Sequence, residues 1–157
     1  MANQSDKKQT GNKTVELATF YVGDSLCGMD ILKVQEINKL LEMTEVPLAP
    51  DYVKGILNLR GQIVTVIDLG SKLSLSETNT SGDTRNIIVN SNGEYIGLLV
   101  DRIGDVERTE EENIEPPPAN IGGIQGRYFE GVFKKEKNLI GILNVEEILK
   151  DENTQNM

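Results

Sequence analysis

Histidine is absent from the 157 residues and cysteine occurs once. The first absence excludes a His-based triad, a His general base and a His-ligated metal. The second excludes an internal disulfide and a multi-thiolate zinc site, and a lone thiol, Cys27, fits a reducing cytoplasm. Aromatic residues make up only 4% of the chain, so Val, Ile and Leu must fill its core, which leans toward strands. No apolar run is long enough to span a bilayer, and the polar "MANQSDKKQTGNKTV" at the start has no signal-peptide core. Basic residues are also scarce. Sixteen Lys and Arg stand against twenty-five Asp and Glu, a formal charge of -9. That field repels a phosphate backbone, which argues against nucleic acid and anionic membrane as partners.

What is present reads as short strands joined by turn chemistry. "VELATFYV" and "LCGMDI" flank "GDS", and "RNIIVN" and "YIGLLVDRI" flank "SNGE", whose Asn-Gly pair signals a hairpin. "VKGILNLRGQIVTVIDLG" (53–70) gives two strands joined at Arg60-Gly61-Gln62. "YFEGVFKK" and "NLIGILNV" give the last hairpin, and "VEEILKDE" a closing helical turn. "ILKVQEINKLL" (31–41) spaces Ile31, Val34, Ile37, Leu40 and Leu41 as a helix would, and a short helix is expected there. Residues 1–13 and 151–157 read as tails, and "SLSETNTSGDT" (74–84) as a polar linker. It divides lobe one (about 14–73) from lobe two (about 85–150) of an all-β domain spanning 14–150.

The two halves echo each other. Leu26, Gly28, Val34 and Ile37 match Tyr95, Gly97, Ile103 and Val106 at an offset of 69. Gly55, Ile56, Ile63, Val64, Val66, Ile67 and Leu69 match Gly131, Val132, Leu139, Ile140, Ile142, Leu143 and Val145 at an offset of 76. The hairpin tips differ: Arg60-Gly61-Gln62 in one half, Glu136-Lys137-Asn138 in the other. Since the repeat folds without the arginine, Arg60 is a candidate recognition residue, held rigid by Ile56, Leu57, Leu59, Ile63, Val64 and Val66. A guanidinium at such a tip suits a partner's carboxylate or carbonyl.

Other constellations carry less. Asp68 ends a strand as a receiver-domain phosphoacceptor would, but the acidic pair and alternating βα units are missing, so it reads as a strand-end or turn residue. The acidic run Asp105 to Glu115 lacks the ligand alternation of a calcium loop and reads as a solvated loop. Cys27 and Met29 fall in a strand pattern and read as core. No phosphate-cradling glycine motif, metal site or cofactor site is recognisable. A hydrolase built on Glu36 and Asp68 is the enzymatic alternative, and a nucleic-acid binder is a third.

"YVGDSLCGMDILKVQEI", "VPLAPDYVKGILNLRGQIVTVIDLGSKL" and "YIGLLVDRIGDV" resemble the CheW family of bacterial chemotaxis coupling proteins, over about residues 14–150. Thr65 departs from the proline of many relatives. The resemblance implies two SH3-like five-stranded β-barrels packed side by side, with short helices. It also implies a non-enzymatic cytoplasmic adaptor, without cofactor or metal, linking the helical hairpin tips of chemoreceptors to the regulatory domain of the histidine kinase CheA. Val34, Glu36 and Arg60 match family positions associated with partner binding. The full expected partner-binding set is Val34, Glu36, Ile37, Asn58, Leu59, Arg60, Gly61, Val89, Leu98 and Val100.

Overall fold

Two sheets account for nearly all regular structure in the computed structural model, which describes residues 13–150. The expected tails at 1–13 and 151–157 therefore lie outside it, except Lys13, whose carbonyl accepts from Glu111 N at 2.7 Å. The central sheet is five-stranded. It contains β3 (Val34–Lys39), β4 (Val53–Leu59), β5 (Gln62–Asp68), β6 (Arg85–Ser91) and β7 (Glu94–Val100), in the order β3-β6-β7-β5-β4. The terminal sheet joins β1 (Thr14–Val22) and β2 (Ser25–Asp30) to β12 (Phe129–Lys135) and β13 (Asn138–Leu143), with the short β8 (Arg102–Ile103) and β9 (Glu107–Glu110) along β1. β10 (Asn120–Ile121) and β11 (Ile124–Gln125) form a small separate ribbon. One-turn helices α1 (Leu69–Lys72) and α2 (Val145–Ile148) follow β5 and β13. The architecture is all-β with two SH3-like barrel lobes.

The division at 74–84 does not survive in the sheets. β13 pairs β2 in parallel through Gly141↔Cys27 and Ile142↔Gly28, so the first and last strands belong to one lobe. The halves are nevertheless repeats, with strands exchanged. In the central sheet Val66 pairs Gly97; in the terminal sheet their repeat-equivalents Ile142 and Gly28 pair. Val34 pairs Val89, as Ile103 pairs Phe20. Asp68 N donates to Tyr52 O at 2.7 Å, as Asn144 N donates to Tyr128 O at 2.8 Å. Each repeat thus lends a hairpin, β1–β2 or β6–β7, to the other lobe, and a quasi-two-fold relation connects them.

Twin glycines show what the repeat requires. Gly55 and Gly131 sit at matched irregularities of β4 and β12, where an isolated bridge, Thr44↔Ile56 or Glu115↔Val132, crosses the strand. A Cβ on Gly55 would lie 2.6 Å from Thr44 O, and one on Gly131 would lie 2.9 Å from Glu115 O. Any side chain would push the bridge away.

The larger core lies between the sheets. Phe20, Val22, Cys27 and Met29 of the terminal sheet meet Ile67, Ile87, Val89, Leu98 and Val100 of the central one, closed by Leu69, Val145 and Ile148. The smaller core, Leu57, Val64, Val66, Ile88 and Leu99, fills the central lobe. Burial pushes the Cys27 thiol up to about 12.

Two local expectations need correction. Residues 31–41 are not a helix: Asp30 caps one 3-10 turn, Ile31–Lys33, and the chain then extends as β3. The acidic run is not a loop throughout, because Glu107–Glu110 pairs with β1 as β9.

Candidate functional site

The opening hairpin turns where expected. Arg60 (φ 53°) and Gly61 (φ 85°) take the left-handed conformation at both central positions, which matches the right-handed twist of the flanking strands. Asn92 and Gly93 do the same at the tip of β6 and β7. Asn58 Oδ1 accepts from Gly61 N at 2.9 Å, so Asn58 fastens the turn that carries Arg60. A bulky arginine stands where asparagine is the easier residue.

Arg60 is already engaged. Its Nη2 donates to Glu36 Oε1 and its Nη1 to Glu36 Oε2 at 3.4 Å, while Asn38 Nδ2 donates to Glu36 Oε2 at 3.0 Å. The hydrogen bonds from Arg60, then Asn38, hold the Glu36 carboxyl below the usual carboxylate range, and Glu36 in turn raises the guanidinium. The Arg60 side chain remains 69% exposed, against 29% for Glu36. Around the pair lies a depression of about 300 Å³ lined also by Gln35, Leu59, Gln62, Val64, Ile88 and Tyr95. The other repeat has a comparable pair, in which Lys135 Nζ donates to Glu107 Oε1 at 2.6 Å. A cation reaching across from a hairpin is thus common to both halves, although the arginine is not.

A bulge in β3 sorts its side chains. Register slips between Val34↔Val89 and Glu36↔Ile88, leaving Gln35 extra. The slip turns Glu36 toward Arg60 while Val34 and Ile37 share the opposite side. There they line a second depression, about 310 Å³ and apolar, with Ala18, Thr19, Ile31, Ile103, Gly104 and Val106. Val34 and Ile37 are the repeat-equivalents of Ile103 and Val106. The groove therefore lies across the quasi-two-fold, each half contributing the same apolar pair. Ile37, Ile103 and Val106 are 39%, 36% and 58% exposed. Ile103 and Val106 were missed as site residues, although the 69-residue echo had aligned them with Val34 and Ile37.

The expected partner-binding residues therefore separate into three groups. Glu36, Leu59 and Arg60 share one depression, with Asn58 and Gly61 exposed at its hairpin; Val34 and Ile37 line the other. Val89, Leu98 and Val100 belong to neither. They are buried in the larger core and present no surface to a partner. Asp68, fully buried, accepts from Ser71 N, Thr78 N and Thr78 Oγ1 and caps α1. It does not share a depression with Glu36. Among the described residues no group of His, Cys, Asp or Glu is arranged to hold a metal, and no helix is long and apolar enough to cross a membrane.

The comparisons with known proteins bear on the family and the fold. The family model of the CheW-like domain matches residues 16–153. The chain belongs to the CheW-like family. The chemotaxis protein CheW of Treponema pallidum (strain Nichols) is 34% identical over 146 residues, covering 90% of this chain and 86% of the relative. That of Helicobacter pylori is 32% identical over 149 residues, covering 95% and 90%. Among solved structures, the scaffolding protein TtCheW from Thermoanaerobacter tengcongensis superposes with a TM-score of 0.82 at 32% identity, covering 90% of this chain and 92% of that one. The CheW-like assignment reached from "VKGILNLRGQIVTVIDL" holds.

Proposed function

We propose that this chain is a non-enzymatic chemotaxis adaptor that couples the cytoplasmic helical hairpin tips of chemoreceptors to the regulatory domain of the histidine kinase CheA and supports kinase activation in receptor arrays. The observation that carries the reading is the apolar groove between the lobes, flanked by Val34 and Ile37 on one side and Ile103 and Val106 on the other. A trough of that chemistry suits the apolar stripe of an amphipathic helix. The separate hairpin surface at Arg60 leaves a second place to bind, as an adaptor needs. There Glu36 fixes the guanidinium beforehand, which lowers the ordering cost of meeting a carboxylate or carbonyl. The adaptor acts in the cytoplasm, held at membrane arrays through its partners.

Co-sedimentation with a receptor cytoplasmic fragment and CheA, scored for kinase activation, tests the reading. The wild-type chain is expected to raise kinase activity in the pellet, and Ile37→Glu and Val106→Glu each to abolish receptor binding by placing a charge in an apolar trough. A chain that neither sediments with the receptor nor activates the kinase refutes it.

A further inference from the structure

We propose that Thr19 is a positioning residue of the apolar groove, shaping the wall formed by residues 103–106; this rests on the receptor-groove reading above. The wall has little regular structure to hold it. β8 pairs with β1 only through Phe20↔Ile103 and Tyr21↔Arg102, and pairing resumes at Leu17↔Glu107. Between those points β1 supplies two residues, Ala18 and Thr19, against three on the other side, Gly104, Asp105 and Val106. The extra residue interrupts the ladder and makes the segment bulge into the groove, presenting Ile103 and Val106.

Thr19 bridges the interruption from both ends. Its carbonyl accepts from Gly104 N at 2.8 Å, and its hydroxyl donates to the Asp105 carbonyl. The residue is 2% exposed, and its repeat-equivalent is the apolar Ile88, so core packing does not ask for a hydroxyl there. The fit is close: a Cβ on Gly104 would lie 2.6 Å from Thr19 Oγ1. The facing wall is fixed differently, by the ladder of β3 with β6, whereas an ion pair braces each wall from outside, Glu36 with Arg60 on that side and Glu107 with Lys135 on this one. The hydroxyl of Thr19 thus does for one wall what strand pairing does for the other. Removing it frees the Asp105 carbonyl and lets Val106 drift from the position opposite Ile37.

The test compares Thr19→Val, which keeps the shape and loses the donor, with Thr19→Ser, which keeps the donor. In the full chain, Thr19→Val is expected to speed amide hydrogen exchange at 104–106 and to weaken binding of a receptor cytoplasmic fragment about five- to tenfold, the loss of roughly one hydrogen bond. Thr19→Ser is expected to restore both. Gly104→Ala, which presses on the hydroxyl, is expected to resemble Thr19→Val. Unchanged exchange and affinity in Thr19→Val overturn the proposal, as does a Thr19→Ser chain as weak as Thr19→Val. A wild-type chain that does not bind the fragment at all overturns the groove reading itself, and this inference with it.

Discussion

Replacing Asp68 with Ala should cost more stability than a strand-end residue suggests. The carboxylate is fully buried and accepts from Ser71 N at 3.2 Å, Thr78 N at 3.0 Å and Thr78 Oγ1 at 2.8 Å. One of these bonds caps α1, and losing a charged cap costs about 1–2 kcal/mol. The others fasten residues 74–78 to the end of β5, and an orphaned Thr78 N–H costs about 1–3 kcal/mol more. The sum is about 3 kcal/mol, which in a chain of this size lowers the melting temperature by about 6–12 °C. The repeat supplies a control, because Asn144, the equivalent residue, caps α2 with its amide oxygen on Glu147 N at 3.1 Å. Asp68→Asn should therefore keep the cap and lose only part of the Thr78 contacts, falling between wild type and Asp68→Ala. Thermal melts and urea titrations of the three chains measure the order. An Asp68→Ala chain within about 1 kcal/mol of wild type, inside the ordinary range for surface substitutions and small core trims, would refute the argument that this carboxylate anchors the segment.

Leu98→Ala should lower stability by about 2–5 kcal/mol while the folded fraction binds partners as wild type does, separating a core residue from an interface residue by melting and titration. The Cys27 thiol, pushed up to about 12 by burial, should resist a thiol reagent at pH 8 in the native chain and react fully in denaturant. Arg60→Ala should melt close to wild type, since exposed ion pairs contribute little, yet bind the kinase regulatory domain or the receptor fragment more weakly; unchanged affinity for both would return Arg60 to a turn residue. Because the Glu36 carboxyl is held below its ordinary value of 4.5, its contribution is present in full above that pH and is lost as pH falls through the lowered value; urea midpoints of wild type and Glu36→Gln should converge on acidification.

Turn chemistry and strand alternation were legible in the sequence because they are local. Gly61 and the pair Asn92-Gly93 turn as those residues dictate, and β1, β2, β4 to β7, β12 and β13 lie where the apolar runs placed them. The helix expected at 31–41 failed for an identifiable reason. The bulge at Gln35 puts Val34 and Ile37, three residues apart, on one side of a strand, which is the spacing a helix would give. The β-branched residues and the pairing with β6 decide for the strand. Lobe membership was not legible, because it depends on which distant edge each hairpin meets, and β2 meets β13 across more than a hundred residues. The same blindness placed Val89, Leu98 and Val100 at a surface. Their strands were read as one lobe's, whereas the other sheet packs over them.

The cation at the hairpin tip follows from that exchange of strands. Each lobe carries an irregular segment along the hairpin lent by the other repeat, β3 beside β6 in one case and residues 102–110 beside β1 in the other, and the groove runs between the two. A bulge loses ladder bonds, so its shape must be fixed by something outside the ladder. On the β3 side Glu36 emerges from the bulge and is held by Arg60 reaching from the tip of β4 and β5. On the other side Lys135 reaches from β12 to Glu107 just past the bulge, while Thr19 works from within. The hairpins thus brace the groove walls from outside, and only one brace is a guanidinium. Arg60 spends two of its nitrogens on Glu36 and keeps most of its surface in solvent. With five N–H donors in one plane it can brace the wall and still meet a partner's oxygen, which the more compact ammonium of Lys135 does less readily.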